Sequence, residues 1–159
     1  MEIRSKTAKR SRRKGKRGER KLIPILETWW GTKFRRTPGS GGLRWGTDSR
    51  VAGDLVTNDP AFPWVIEEKN QEKWDLHQIF QEKGPIFDWF HQAAQAGKRV
   101  GKLPILFFTK NYQPYFIMIR RRDLLKHQNQ FLVPKTVLRV KRNKTTYLIA
   151  TTDELLPSK

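Results

Sequence analysis

A chain of 159 residues and 18.8 kDa carries 33 Lys plus Arg against 15 Asp plus Glu, a formal net charge of +18. That excess asks for a polyanionic partner, nucleic acid before lipid, and 36% hydrophobic residues with six Trp and nine Phe can fill the core of one domain. The absence of Cys and the three separated His exclude a disulfide scaffold, a Cys-ligated zinc site, a thiol nucleophile and a His-rich metal cluster.

In chain order, the first segment is a basic arm. Residues 1–21 hold eleven Lys or Arg and two Glu, a net of +9 and half of the total. With almost no apolar residue before Leu22, residues 1–17 read as an arm that is disordered when free and orders on phosphate. A solubilising tail or a targeting peptide is the plainer alternative. From Gly18, GERKLIPILETWWG reads as a helix with Leu22, Ile25, Leu26 and Trp29 on one face, starting near Lys21 or bent at Pro24 and stopped by Gly31. KFRRTP is a short strand, and GSGGLRWGTDSRVAG a loop.

DLVTN and WVIEEKN read as an antiparallel hairpin across NDPAFP. QEKWDLHQIF and GPIFDWFHQAAQAG read as helices, the second ending at Gly97. LPILFFT and PYFIMIR are buried strands, RDLLKHQNQF a short helix, and KTVLRVKRN with TTYLIAT a terminal hairpin. Trp29, Trp30, Trp64, Trp74 and Trp89 fall on apolar faces and read as core or dimer interface. Trp45 sits beside Arg44 in the glycine-rich loop, where it is a candidate for stacking on an unpaired base. No apolar run reaches the roughly 18 residues of a membrane span. The sequence reads as a soluble cytoplasmic protein without a membrane partner.

Chemistry enters at Trp64–Asn70. Alternation along a strand puts Glu67 and Lys69 on one face, about 6.5–7 Å apart. Asp54, after Gly53 at the start of the preceding strand, lies where its carboxylate can converge with that of Glu67 on one divalent ion. Mg²⁺ prefers such oxygen ligands, polarises a phosphodiester and lowers the pKa of bound water, which Lys69 would orient or activate. Taken singly, a Gly-Asp pair is a turn and Glu-x-Lys a solvated ion pair. Joined in a chain of this charge, they point to a nuclease.

Gly53-Asp54 with Glu67-Glu68-Lys69 resembles the split motif of the PD-(D/E)XK nuclease superfamily. Gly18-Glu19-Arg20 and Arg36-Thr37-Pro38-Gly39-Ser40-Gly41-Gly42 resemble the archaeal-type Holliday-junction resolvases and phage enzymes of that group. The resemblance spans Lys14 to Arg120. It implies an α/β (α+β) restriction-endonuclease-like core, a mixed central β-sheet flanked by helices, over residues 18–121, with residues 122–159 as a C-terminal extension. It further implies a homodimer that nicks opposed strands of a four-way DNA junction with Mg²⁺, Mn²⁺ being a substitute, in the nucleoid or the cytoplasm of a phage-infected host.

Carried over by position, the resemblance makes Asp54, Glu67 and Glu19 metal ligands and Lys69 the catalytic lysine. Arg20 and Arg36 then hold flanking phosphates and Ser40 touches DNA, while Arg44 and the arm residues Arg12, Arg13, Lys14, Lys16 and Arg17 add phosphate contacts. Helix-dipole compensation for Glu19, a generally basic face for the arginines and an ordinary loop position for Ser40 are the simpler readings. Three departures stand out. The loop between Gly42 and Gly53 is long and contains Asp48, a competitor for Asp54; Asp54 is preferred because Leu-Val follows it. Glu68 replaces a small or apolar residue and points to the opposite face, which is then solvated or an interface. The alternatives are a restriction-like or flap nuclease with the same site, and a non-catalytic basic nucleic-acid-binding protein.

Overall fold

The computed structural model describes residues 2–38 and 52–158, with side chains from Thr7 onward. A seven-stranded sheet runs in the order β1-β2-β3-β4-β5-β7-β6, built from β1 (Phe34–Arg36), β2 (Leu55–Thr57), β3 (Trp64–Asn70), β4 (Leu103–Thr109), β5 (Phe116–Arg120), β6 (Leu138–Arg142) and β7 (Thr145–Thr151). Only the β3–β4 pair is parallel, and its crossover contains α2 (His77–Phe80) and α3 (Ile86–Val100). The other neighbours pair antiparallel. This is the mixed sheet with flanking helices that the restriction-endonuclease-like reading anticipates.

Alternation sorts the sheet into two cores. On one face α1 (Glu2–Trp30) sets Leu22, Leu26 and Trp29 against Trp64, Ile66, Ile105, Phe107 and Ile117. On the other, α3 sets Ile86, Trp89 and Phe90 against Leu106, Phe108 and Met118. Four of the tryptophans assigned to apolar faces, Trp29, Trp64, Trp74 and Trp89, are 2–7% exposed. The fifth, Trp30, is half-buried and donates its indole N–H to Asp59 Oδ2 at 2.7 Å. The terminal hairpin joins the same sheet: β7 pairs with β5 from Phe116↔Thr151 to Arg120↔Tyr147, and Leu155 and Leu156 complete the α1-side core.

Three expectations change. The helix begins at Glu2 rather than near Gly18 or Lys21, so the basic segment is helical in the structure. Lys, Arg and Ala favour helix, and Glu72 pairs with Lys14 and ties this segment to the sheet. Pro24 lies inside α1 but on its exposed side, where the carbonyl left without a donor can meet water. The helix expected over QEKWDLHQIF shrinks to His77–Phe80, because Gln78 Oε1 accepts the Asp75 N–H in a turn. Finally, α3 passes through Gly97, which lies against the Lys102 carbonyl, and ends at Val100.

Among the described residues no helix is long and apolar enough to cross a membrane. Ser40, Arg44, Trp45 and Asp48 lie outside the described residues.

Candidate active site

The neighbouring strands β2 and β3 position Asp54, just before β2, and Glu67 and Glu68 within β3. Gly53 has φ +82°, and a Cβ there would strike the Ile66 carbonyl and come within 2.9 Å of Val65 Cγ1. Only glycine lets the chain approach so closely. Its neighbour Asp54 then pairs as a strand residue: its N–H donates to Ile66 O at 2.7 Å and its carbonyl accepts from Thr37 N at 2.9 Å. The Asp54 carboxylate continues the ladder by accepting the Glu68 N–H through Oδ2 at 2.7 Å. The same contact fixes Asp54 to the middle of the Glu67-Glu68-Lys69 run.

Glu67 and Lys69 share the α3 side of β3, as alternation requires, with Lys69 Nζ 2.6 Å from Glu67 Oε1. Glu19 arrives from α1 and is 8% exposed, its carboxylate paired with the Arg36 guanidinium. Glu19, Asp54, Glu67, Glu68 and Lys69 line one cleft of about 540 Å³ at the C-terminal end of β3. The structure therefore brings together the four residues expected to carry the chemistry. Arg36 meets them as the partner of Glu19. Arg20 is exposed on α1, as are Arg12, Arg13, Lys16 and Arg17, whereas Lys14 is half-buried against Glu72.

Burial first, and then the crowding of acids, shifts the acids of the cleft. Burial, then repulsion from Glu67, pushes the Asp54 carboxyl up to about 7, although the Glu68 N–H and Lys69 favour its charged form. Glu67 is also raised, first by burial, with Lys69 opposing and Glu19 contributing repulsion. Among the described residues no three acidic or His side chains form a ready cage for a metal ion. Glu19 and Glu67 are instead covered by Arg36 and Lys69. The donor set still fits a hard divalent cation: it is all oxygen, confined to one cleft, and its carboxylates repel one another until a cation or proton neutralises them.

Glu68 was expected on a solvated face or an interface, and it is neither. It is 5% exposed and packed beneath α1. A Cβ on Gly18 would strike the Glu68 carboxylate and come within 2.9 Å of Asn70 Cβ, so the missing side chain makes room for this acid. The Tyr115 hydroxyl lies 2.8 Å from Glu68 Oε1 and 2.7 Å from Gly18 O. The hydroxyl is the donor in both contacts and has one proton, which Glu68 Oε1 and the Gly18 carbonyl share. Burial raises Glu68 to about 8 against the Tyr115 hydrogen bond, which lowers it, and raises the Tyr115 phenol as well. Sequence reasoning missed this contact because Tyr115 is 47 positions from Glu68; the only local signal was Gly18 next to Glu19.

A model of the family described as "Phage putative PDDEXK endonuclease" matches residues 10–158. The chain belongs to this family. Membership makes it a PD-(D/E)XK nuclease by lineage and extends the relationship through the terminal hairpin, well past Arg120. Protein D14 of Escherichia phage T5 is 26% identical over 119 residues, which cover 71% of this chain and 72% of D14. No solved structure matches the chain.

Proposed function

We propose that this PDDEXK endonuclease family member is a metal-dependent, structure-selective DNA endonuclease whose substrate is the four-way junction. The observation that carries the nuclease reading is the convergence of Asp54, Glu67, Glu19 and Lys69 in one cleft beneath a strongly basic helix. Acids in that position repel DNA unless a cation intervenes, so a protein that only bound DNA would gain nothing from them. The resemblance of the Gly18-Glu19-Arg20 and Arg36–Gly42 segments to junction resolvases favours the junction over restriction-like or flap substrates.

Asp54 and Glu67, with Glu19, would hold Mg²⁺ or Mn²⁺. When bound, the ion supplies Lewis-acid polarisation of the scissile phosphate and a lower pKa for coordinated water. The chain's own residues do the rest. Lys69, held beside Glu67, orients the attacking water and offsets the negative charge that grows on the phosphoryl oxygens. The Glu68 N–H fixes the Asp54 carboxylate and so keeps it turned toward Glu67. Arg36, which pairs with Glu19 in the structure, is placed to take a neighbouring phosphate instead, and exposed Arg20 another. Attack in line with the leaving 3′ oxygen forms one P–O bond as the other breaks, leaving a 5′-phosphate. Residues 1–17 act as the DNA-gripping arm, and two copies of the chain cut opposed strands in the host cytoplasm.

The test is cleavage of a labelled four-way junction, a linear duplex, a flap and a single strand, in Mg²⁺ and in EDTA. Paired symmetric nicks confined to the junction and abolished by EDTA are expected. Equal cutting of all four substrates refutes junction selectivity, and no cutting of any refutes the enzyme.

A further inference from the structure

A second groove adjoins the acid cleft on the α1 side of the sheet, and its chemistry is different. It has a volume of about 470 Å³ and runs between α1 and the turn that joins β4 to β5. Arg13, Arg17 and Lys21 line one wall, spaced four residues apart and so about 6 Å apart along one side of the helix. Lys110 lies on the opposite wall, held by the Trp74 carbonyl at 3.1 Å and seated over the Trp74 ring at 4.9 Å. No carboxylate among the described residues pairs with Arg13, Arg17 or Lys21.

At the lip stands Tyr112, fully exposed at 104% and with φ +62°. A left-handed backbone suits glycine or asparagine and costs a bulky side chain energy, so an aromatic ring held there in solvent asks for a use. The turn is tied down around it. Glu72 pairs with Lys14 of α1 and accepts the Asn111 N–H at 3.0 Å, which fixes the gap between the helix and the turn. Thr109 Oγ1 lies 3.0–3.2 Å from the carbonyls of Lys110, Gln113 and Pro114. Lys14 and Asn70 line both this groove and the acid cleft, and Asn70 follows Lys69 in the chain. The Asn70 side-chain oxygen is buried without a hydrogen-bond partner in the structure.

We infer that this groove binds an unpaired DNA strand, with its phosphates on the Arg13–Arg17–Lys21 row and one base stacked on Tyr112. A groove of this volume holds a ligand of small-molecule size, so a nucleotide or two enters it and a double helix does not. A paired base hides both faces in the duplex stack, whereas an unpaired base offers a face to an aromatic ring. The shared wall at Lys14 and Asn70 then leads the strand into the acid cleft. This inference rests on the nuclease reading for its biological meaning: the strand would be a short segment that unpairs where the arms of the four-way junction exchange.

The groove is tested by binding alone, on the Glu67→Gln protein in EDTA, so that cleavage cannot intervene. Fluorescence anisotropy compares a 20-nucleotide thymidine strand, a splayed fork and a blunt duplex. Tyr112→Asn, which suits the left-handed turn, is expected to weaken strand and fork binding by about 5- to 140-fold, the range of one base stack, and duplex binding by less than about 2-fold. Tyr112→Phe should restore most of the loss, and Arg17→Glu should abolish the preference for the strand. Equal losses on all three substrates, no loss on any, or failure of phenylalanine to restore binding each overturn the stacking site. Failure of the nuclease reading would appear separately, as intact DNA in the Mg²⁺ assay of the unmodified protein.

Discussion

The two adjoining cavities differ in which charge is buried. In the acid cleft Glu19, Glu67 and Glu68 are 4–8% exposed, and the cations that reach them are engaged in ion pairs. In the basic groove Arg13, Arg17 and Lys21 stand in solvent and no acid lines the wall. Burial makes a charge costly unless something neutralises it, so the cleft is built to receive a cation or protons. Exposure leaves charge cheap and screened by salt, so phosphate bound in the groove or on the arm, as proposed, would be held at an affinity that ionic strength tunes. On the proposed reading, one cavity serves reaction and the other grip.

The contrast is sharpest when one side is disabled alone. Asp54→Asn, Glu67→Gln or Lys69→Ala should each lower junction nicking by about 10³-fold or more while leaving junction affinity within a few-fold. Gel assays of cleavage and binding on the same preparations decide this. Full activity in Asp54→Asn with none in Asp48→Asn would move the ligand role into the glycine-rich loop. Gly53→Ala attacks the cleft through its backbone: a left-handed alanine pressed on the Ile66 carbonyl should cost about 3 kcal/mol in urea denaturation, and a loss below 1 kcal/mol would contradict the close approach.

Protons and metal should compete for the cleft and ignore the groove. Asp54 and Glu68 are raised to about 7 and about 8, and Glu67 is raised as well. With raised carboxyls the native state holds protons that the unfolded chain has released. The metal-free fold therefore has its full contribution from these groups below about pH 4 and loses it as pH climbs toward 8. Mg²⁺ replaces the protons, so the rise in Tm on adding Mg²⁺ should be several degrees larger at pH 8 than at pH 5. An equal rise at both pH values breaks the link between these acids and the ion.

On the grip side, Arg12→Gln with Lys16→Gln should weaken binding to every DNA shape and flatten the log–log salt dependence by about 0.9 per lost phosphate contact. An unchanged slope removes these residues from the interface. The smallest effect concerns Glu68. If its carboxyl is neutral, Glu68→Gln keeps the shape and a donor and should change stability by less than about 1 kcal/mol. Tyr115→Phe strands the Gly18 carbonyl and should cost about 1–2 kcal/mol.

Much of the cleft was legible in the sequence because its logic is local. A two-residue period places Glu67 beside Lys69, and a glycine before an apolar pair marks where Asp54 enters its strand. The boundaries of β3 and β4 follow from apolar runs that need no long-range information. What was hidden depends on distant partners. Nothing near Glu68 announces Tyr115, and nothing within the basic arm announces that Glu72 will hold Lys14. The arm has no apolar stripe to betray a helix, so its conformation rests on propensity and on that one tether. The short α2 was overread because Leu76, Ile79 and Phe80 show helical spacing, while the residues before His77 form a turn.

The uninterrupted course of α1 has a mechanical consequence. At 1.5 Å per residue its 29 residues make a rod about 44 Å long, with basic side chains along one end, Glu19 beyond them and core leucines at the other. Gly18 seats the rod on β3, so Glu68 and Tyr115 act as a bearing. If the arm grips DNA as proposed, the stiffness of this one helix sets the distance between the gripped phosphates and Glu19 in the cleft.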